Sequence, residues 1–166
     1  MGDITLEETD AIVNAANARL EGGAGVDGAI HRVAGPELLG ECQKIGGCPT
    51  GEARLTAGYK LKAPYVIHAV GPVWEGGGQN EEALLASCYR HALQLAEHCF
   101  VRTISFPAIS TGAYGFPVDR ASRIALTETI RHLSGPSRIE RVFLVTFDEK
   151  TFLAYKKTFD AMKTGA

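Results

Sequence analysis

Two spacings of apolar residues alternate along this chain. AIVNA (11–15) is a short apolar run that reads as a buried strand. DGAIHRVAGPELLGECQKI has helical spacing but is interrupted at Gly35-Pro36, where a proline ring and a missing N–H break the backbone ladder. Two helices, or one with a kink, are expected there. ARLTAGY (53–59) alternates as a strand does, Pro64 closes the next loop, and YVIHAVG (65–71) is a β-rich apolar run suited to a central strand. After the loop GPVWEGGGQN, residues 80–99 carry a helical stripe of Leu84, Leu85, Cys88, Ala92, Leu95, Ala96 and Cys99. Asn80 is the expected N-cap, with Glu81 and Glu82 at the positive end of the dipole. TISFPAI is the next strand. Pro117 suits the first turn of a helix that Leu126, Ile130 and Leu133 continue. RVFLVTF (141–147) is the last strand, and residues 150–162 form an amphipathic helix with Phe152, Tyr155 and Phe159 on one face.

The order β, α, β, β, α, β, α, β, α predicts an α/β fold of three layers, with a mixed, mainly parallel central sheet covered by helices on both faces. The 166 residues suggest one domain, 1–166, and 45% hydrophobic with 22% charged residues is ordinary for a chain that buries a core. A formal net charge of -2 supplies no basic field for nucleic acid. MGDITLEETD lacks the apolar stretch of a signal peptide, and no apolar run is long enough to span a membrane, so a cytoplasmic protein is expected. The four cysteines, Cys42, Cys48, Cys88 and Cys99, form no CxxC pair and read as reduced, mostly buried thiols. The 19 glycines change the picture more, because they cluster in GGAG (22–25), GGG (76–78) and TGAYG (111–115), next to predicted elements. Such clusters suggest loops that touch a ligand.

In folds of this type ligands bind beyond the carboxyl ends of the strands. NAAN (14–17), STGAYG (110–115) and Phe147-Asp148 all fall there, and GGAGVDG (22–28) opens a helix. Glycines allow close backbone approach and a helix start offers unpaired N–H donors, so GGAGVDG is a candidate anion site; a flexible turn with Asp27 as N-cap is the competing reading. Gly23, Gly25 and Gly28 have dinucleotide-loop spacing, but no acid follows about 20 residues on at a strand end. STGAYG is a second candidate cradle, with hydroxyls from Ser110 and Thr111 and with Tyr114 as a wall. Asn14 is expected to tie loops together, whereas Asn17 is the better sugar ligand. Phe147 either stacks on a base or packs in the core. Asp27 and His31, and Cys42 and Cys48, lack third and fourth ligands at useful spacing, so no structural metal is expected. His68, inside an apolar strand, reads as a hydrogen-bonded core histidine, and His91, His98 and His132 as helix-surface residues.

Taken together, GDIT (2–5), DAIVNAAN (10–17), GGAGVDGAIHRVAG (22–35), CPTGEA (48–53), VIHAVGPVW (66–74) and FPAISTGAYGFP (106–117) resemble the macrodomain family over nearly the whole chain. The likeness is greatest to the MacroD-type branch and its bacterial O-acetyl-ADP-ribose deacetylases. It implies a three-layer α/β/α fold that binds ADP-ribose. By that resemblance Asp3 would accept from the adenine amino group beside Ile4, and Phe147 would stack near adenine. Gly25 and Val26 would give amides to one phosphate. Ser110, Thr111, Gly112, Ala113 and Tyr114 would hold the diphosphate and flank the distal ribose. Asn17 would hold that ribose, and Asp27 would be the catalytic carboxylate. Two departures stand out. Ala24 interrupts the glycine run, and the apolar strand that precedes GDIT in the family has no counterpart before Met1-Gly2, so the sheet is expected without its first edge strand and Asp3 near a loose end.

The implied activity is hydrolysis of esters on the distal ribose, in O-acetyl-ADP-ribose or in mono-ADP-ribose carried on Asp or Glu side chains of proteins, by a monomer that needs no metal or redox cofactor. Asp27 would position a water, with a substrate phosphate oxygen able to help. A helix N-terminus is expected to lower the pKa of Asp27 and weaken it as a base. The rival readings are a non-catalytic ADP-ribose reader, a phosphatase acting on ADP-ribose-1″-phosphate, and a nucleotide-dependent dehydrogenase. The reader has no use for a carboxylate beside a diphosphate. The dehydrogenase lacks both the ribose acid and a substrate domain.

Overall fold

The apolar runs pair into one five-stranded sheet in a computed structural model that describes residues 1–165. The strands are β1 (Ala11–Ala15), β2 (Ala53–Ala57), β3 (Tyr65–Ala69), β4 (Thr103–Phe106) and β5 (Arg141–Leu144), in the spatial order β2-β3-β1-β4-β5. β1 lies parallel to β3 and β4, and β4 parallel to β5, while β2 runs antiparallel to β3. The helices are α1 (Gly25–Ala34), α2 (Pro36–Ile45), α3 (Glu81–His98), α4 (Val118–Leu133) and α5 (Glu149–Thr164). Gly35, with φ of +92°, turns the chain between α1 and α2, and Pro36 starts α2 where its missing N–H costs nothing.

Strand alternation sorts side chains onto two faces. Ala11, Val13, Ile67, Ala69, Ile104 and Phe106 face α3 and α4, in a core that includes Tyr89 and Tyr155. Ile12, Val66 and Val70 face α1 and α2, with Ile30, Leu38 and Cys42. The same alternation places Asn14, paired in register with His68, on this second face. Polar side chains are therefore forced into an otherwise apolar layer. No helix among the described residues is long and apolar enough to cross a membrane. All four cysteines are free; Cys42, Cys48 and Cys88 are buried and Cys99 partly so.

Several elements differ from their sequence expectation. The last strand ends at Leu144 rather than 147. Asn80 does occupy the N-cap of α3, but in a left-handed conformation and with no capping side-chain bond. Its neighbour Glu81 takes over: the buried carboxylate accepts from the amides of Glu75, Gly77 and Gln79. Burial pushes its pKa up, but those three amides together with its own backbone N–H outweigh that and hold it down to about 2. The GGG cluster is thus a loop wrapped around an acid, not a ligand loop. On α5, Tyr155 is buried, whereas Phe152 and Phe159 stay 38% and 42% exposed.

The chain start is fixed rather than loose. Asp3 caps a 3-10 turn (Ile4–Leu6) by accepting from the amide and hydroxyl of Thr5 at 2.9 and 2.7 Å. Ile4 is buried, and the Gly2 amide donates to the Thr146 carbonyl at 2.9 Å, just past β5. Among the described residues β5 is the sheet edge on that side.

Phe106 is fully buried and stacks on Tyr89 with ring centroids 5.1 Å apart. Truncating Phe106→Ala is expected to cost about 3–5 kcal/mol, because the lost contacts leave a cavity under the sheet. Leu153→Ala, at a position 54% exposed, should stay within about 0.5 kcal/mol. Urea unfolding of both variants checks the contrast.

Candidate functional site

Two loops meet above the carboxyl ends of β1 and β4. The first, residues 16–24, leads into α1; the second, residues 107–117, leads from β4 into α4. Between them lies a cavity of about 380 Å³, continuous through Gly25, Val26, Pro107, Ala108 and Gly112 with a second of about 450 Å³. Asn17, Asp27, Ser110, Ala113 and Tyr114 line the first. Asp3, Ile4, Thr111 and Phe147 line the second, and Gly25, Val26 and Gly112 line both. All twelve residues singled out in the sequence therefore border one cleft.

Its middle is built from backbone. Ala24 is the N-cap of α1 and makes no side-chain cap bond, so Asp27 is not the N-cap. The first amide of α1 to find a partner is that of Gly28, which donates to the Ala24 carbonyl at 3.3 Å. Among the described residues the amides of Gly25, Val26 and Asp27 have no protein acceptor, and a helix start with free N–H groups attracts an anion. Ala24 sits at φ of -94°, where its methyl is tolerated. Gly28 is required for another reason: a Cβ there would lie 2.3 Å from the Gly23 carbonyl oxygen.

The facing loop is pinned from below. Phe116 is buried and packs on Trp74 with ring centroids 4.8 Å apart. The Phe116 amide donates to the Ser110 carbonyl, and the Trp74 amide to the Tyr114 carbonyl. The amides of Gly112, Ala113 and Tyr114 have no acceptor among the described residues, and they border the cleft. Thr111 departs from expectation, because its hydroxyl donates to the Ala108 carbonyl at 2.8 Å. Ser110 holds a left-handed φ of +64°, and its buried hydroxyl has no partner. It fits only because residue 71 is glycine: a Cβ there would lie 2.1 Å from Ser110 Oγ.

At one end of the cleft stands Asp27, 6% exposed. Asn14 Nδ2 donates to its Oδ1 at 2.8 Å, and His31 Nε2 lies 3.4 Å from the same oxygen. Burial outweighs both and raises the carboxyl above the usual aspartate range. The sequence expectation of a lowered value is corrected here, since the cost of desolvation was not visible. Asn14 is the structural tie expected of it. Asn17 also spends part of its side chain locally: Nδ2 donates to the Gly22 carbonyl at 2.8 Å, and Oδ1 accepts from the Glu21 amide at 3.3 Å. At the other end Phe147 is 77% exposed, which excludes the core-packing alternative.

His31, Cys42 and His68 bring one ligand atom each within 4.8 Å of one another, a grouping that sequence spacing did not show. Both nitrogens of His68 are engaged, Nδ1 by Asn14 at 3.1 Å and Nε2 by Thr56 at 2.9 Å. That leaves two donors, too few for a structural metal. Sequence reasoning also missed Arg32, Ala29 and Thr151, which border the second cavity. Arg32 and Ala29 follow Gly25 at i+7 and i+4, so the helical period carried a usable signal.

Residues 13–125 match the Macro domain family. The chain belongs to that family. A Macro domain-containing protein of Methanosarcina mazei is 56% identical over 156 residues, covering 94% of this chain and 83% of the relative. One of Chlorobaculum tepidum is 54% identical over 159 residues, covering 96% and 92%. Among solved structures, the Oceanobacillus iheyensis macrodomain with ADP superposes with a TM-score of 0.96 at 43% identity, covering all of this chain and 90% of the other. The Trypanosoma brucei macrodomain in complex with ADP-ribose gives 0.89 at 48% identity, covering 95% and 66%. The cleft of this macrodomain is thus described in a fold whose relatives hold a nucleoside diphosphate.

The contact between Gly71 and Ser110 gives a stability prediction. Gly71→Ala should cost about 1–3 kcal/mol by overpacking. In a Ser110→Gly background, which removes both the hydroxyl and the left-handed strain, part of that cost should disappear. A double-mutant cycle by urea unfolding measures the coupling.

Proposed function

We propose that this macrodomain binds ADP-ribose and hydrolyses acyl esters on its distal ribose, in the manner of the MacroD-type branch. Its substrates are O-acetyl-ADP-ribose and mono-ADP-ribose esterified to Asp or Glu side chains. The length and polarity of the cleft support this reading. Free amides of Gly25, Val26 and Asp27 face those of Gly112, Ala113 and Tyr114, an arrangement suited to a diphosphate. Exposed Phe147, with Asp3 and Ile4, offers a base a stacking surface and a carboxylate acceptor at one end. Asn17, Asp27 and Tyr114 offer a sugar its polar partners at the other. The neighbouring structures carrying ADP and ADP-ribose agree with this assignment.

The observation that carries the catalytic part is the buried carboxyl of Asp27, raised by desolvation. A carboxylate with a raised pKa is a better general base near neutral pH than an exposed one. Asp27 takes a proton from a water as that water attacks the acyl carbon. The acyl carbon–oxygen bond then breaks, and the departing ribose oxygen takes the proton back from Asp27. The products are ADP-ribose and the free carboxylic acid. An ester needs little activation, so holding the ribose and water in place supplies much of the effect.

The test is acetate release from O-acetyl-ADP-ribose alongside calorimetric binding of ADP-ribose. Asp27→Asn should lower kcat by about 10²- to 10⁴-fold while ADP-ribose still binds. Tight binding by the unaltered protein with no acetate release would overturn the hydrolase reading and leave a reader.

A further inference from the structure

We propose that Thr56 and His68 are positioning residues for Asp27, acting through Asn14 by fixing which way the Asn14 amide points. This rests on the reading of Asp27 as the base. The chain of contacts crosses three strands before it reaches α1. The Thr56 hydroxyl donates to the Ala57 carbonyl at 3.1 Å, so its oxygen is left to accept. The Ala57 carbonyl can only accept, so the arrangement that satisfies both contacts of the hydroxyl has His68 Nε2, 2.9 Å from that oxygen, carrying the ring proton. His68 Nδ1 is then bare and accepts from Asn14 Nδ2 at 3.1 Å. The second hydrogen of the same NH₂ group points to Asp27 Oδ1 at 2.8 Å. Were the ring proton on Nδ1, Asn14 would have to turn its carbonyl to His68, and that oxygen would also confront the carboxylate. The Thr56 hydroxyl thus favours the one His68 tautomer that leaves Asn14 free to present its NH₂ to Asp27.

Strand geometry makes the chain specific. Asn14 and His68 are register partners on parallel β1 and β3, and on antiparallel β2 Thr56 lies two residues beyond Arg54, the register partner of His68, and so on the same face. Asn14 and His68 are fully buried and Thr56 is 2% exposed, so water cannot substitute for a missing link. Asn14 Oδ1 has no partner. An orphaned buried acceptor is costly, and it is the cost of presenting NH₂ to both neighbours. The surrounding titratable groups do not offer an alternative route. Burial and the nearby His31 push His68 down to about 3, which keeps the ring neutral. The Cys42 thiol from α2, 3.8 Å from His68 Nε2, is pushed up to about 11 by burial and by Asp27 and Glu41. Arg54, opposite His68 on β2, is paired with Glu52 at 2.9 Å. His31, from α1, approaches Asp27 directly at 3.4 Å.

The sign of the expected effect follows from the donor. An N–H from Asn14 favours the ionised carboxylate, so losing it raises the Asp27 pKa further, and the acidic limb of the kcat profile moves to higher pH. Thr56→Val should shift that limb up by about one unit; separately, because the carboxylate loses the donor that orients it toward the attacking water, it should lower the plateau kcat by about 10- to 100-fold, with KM for O-acetyl-ADP-ribose nearly unchanged. Thr56→Ser, which keeps the hydroxyl, should restore both. His68→Gln, which can accept from Asn14 and donate to Thr56, should fall closer to the unaltered protein than His68→Leu. ¹⁵N NMR of His68 and a ¹³C carboxyl titration of Asp27 provide readouts that need no turnover. The expected results are an Nε2–H tautomer and an Asp27 pKa that rises in Thr56→Val. An Nδ1–H tautomer in the unaltered protein, or Asp27 titrating identically in Thr56→Val, overturns the proposal. Equal losses in Thr56→Val and Thr56→Ser with no shift of the limb also overturn it, since packing alone then explains them. If the unaltered protein releases no acetate, the hydrolase reading fails, while the two NMR measurements still decide the positioning chain.

Discussion

A carboxylate buried beside an apolar layer has to be held by donors of the right sign, and the second core of this protein is arranged around that requirement. Thr56, His68 and Asn14 occupy positions on β2, β3 and β1 that would otherwise take aliphatic side chains. They share the sheet face of the apolar cluster that includes Ile12, Val66, Ile30 and Leu38, and all three are shut off from solvent. The result is a narrow polar line through a greasy layer, ending at Asp27. Unpaired polar groups inside a protein are expensive, so each member of the line restricts the conformation of the next. The placement of α1 follows from this as much as from its apolar contacts, because Asp27 sits in its first turn.

The cleft adds the complementary feature. Its central part is lined by amides and by glycines, so it presents partial positive charge without a cationic side chain. Two loops supply these amides, and each is fixed by something buried. Gly28 allows the first loop to lie against α1, and Phe116 anchors the second beneath Trp74. Polar reach toward sugar and base is left to the two ends. The middle therefore orients an anion, while the ends distinguish what is attached to it.

Much of this could be read from the chain because the signals were local. The break at Gly35-Pro36, the apolar runs 11–15 and 65–71, the alternation of 53–59, and the glycines beside element ends each depend on a few neighbouring residues. Asn14 as a tie and His68 as a core histidine were legible for the same reason. What escaped the sequence depends on residues far apart. The link from Thr56 through His68 and Asn14 to Asp27 joins four positions spread over more than fifty residues, and only strand register brings them together. The direction of the Asp27 pKa shift escaped too, since helix position is visible in sequence and burial is not. The GGG loop misled because glycine marks a tight backbone whether its partner is a ligand or, as here, the carboxylate of Glu81. Phe147 remained ambiguous until the strand was seen to stop at Leu144, leaving the ring outside the sheet.

The left-handed backbone at Ser110 has one more consequence. That torsion sets the direction in which the chain runs into Thr111 and Gly112, and the glycine at 71 is what makes room for the Ser110 side chain beneath it. Evolution toward a different ligand would find it easier to alter the mouth, where side chains do the choosing, than the throat, whose form is dictated by a single torsion angle and the hydrogen atom of one glycine.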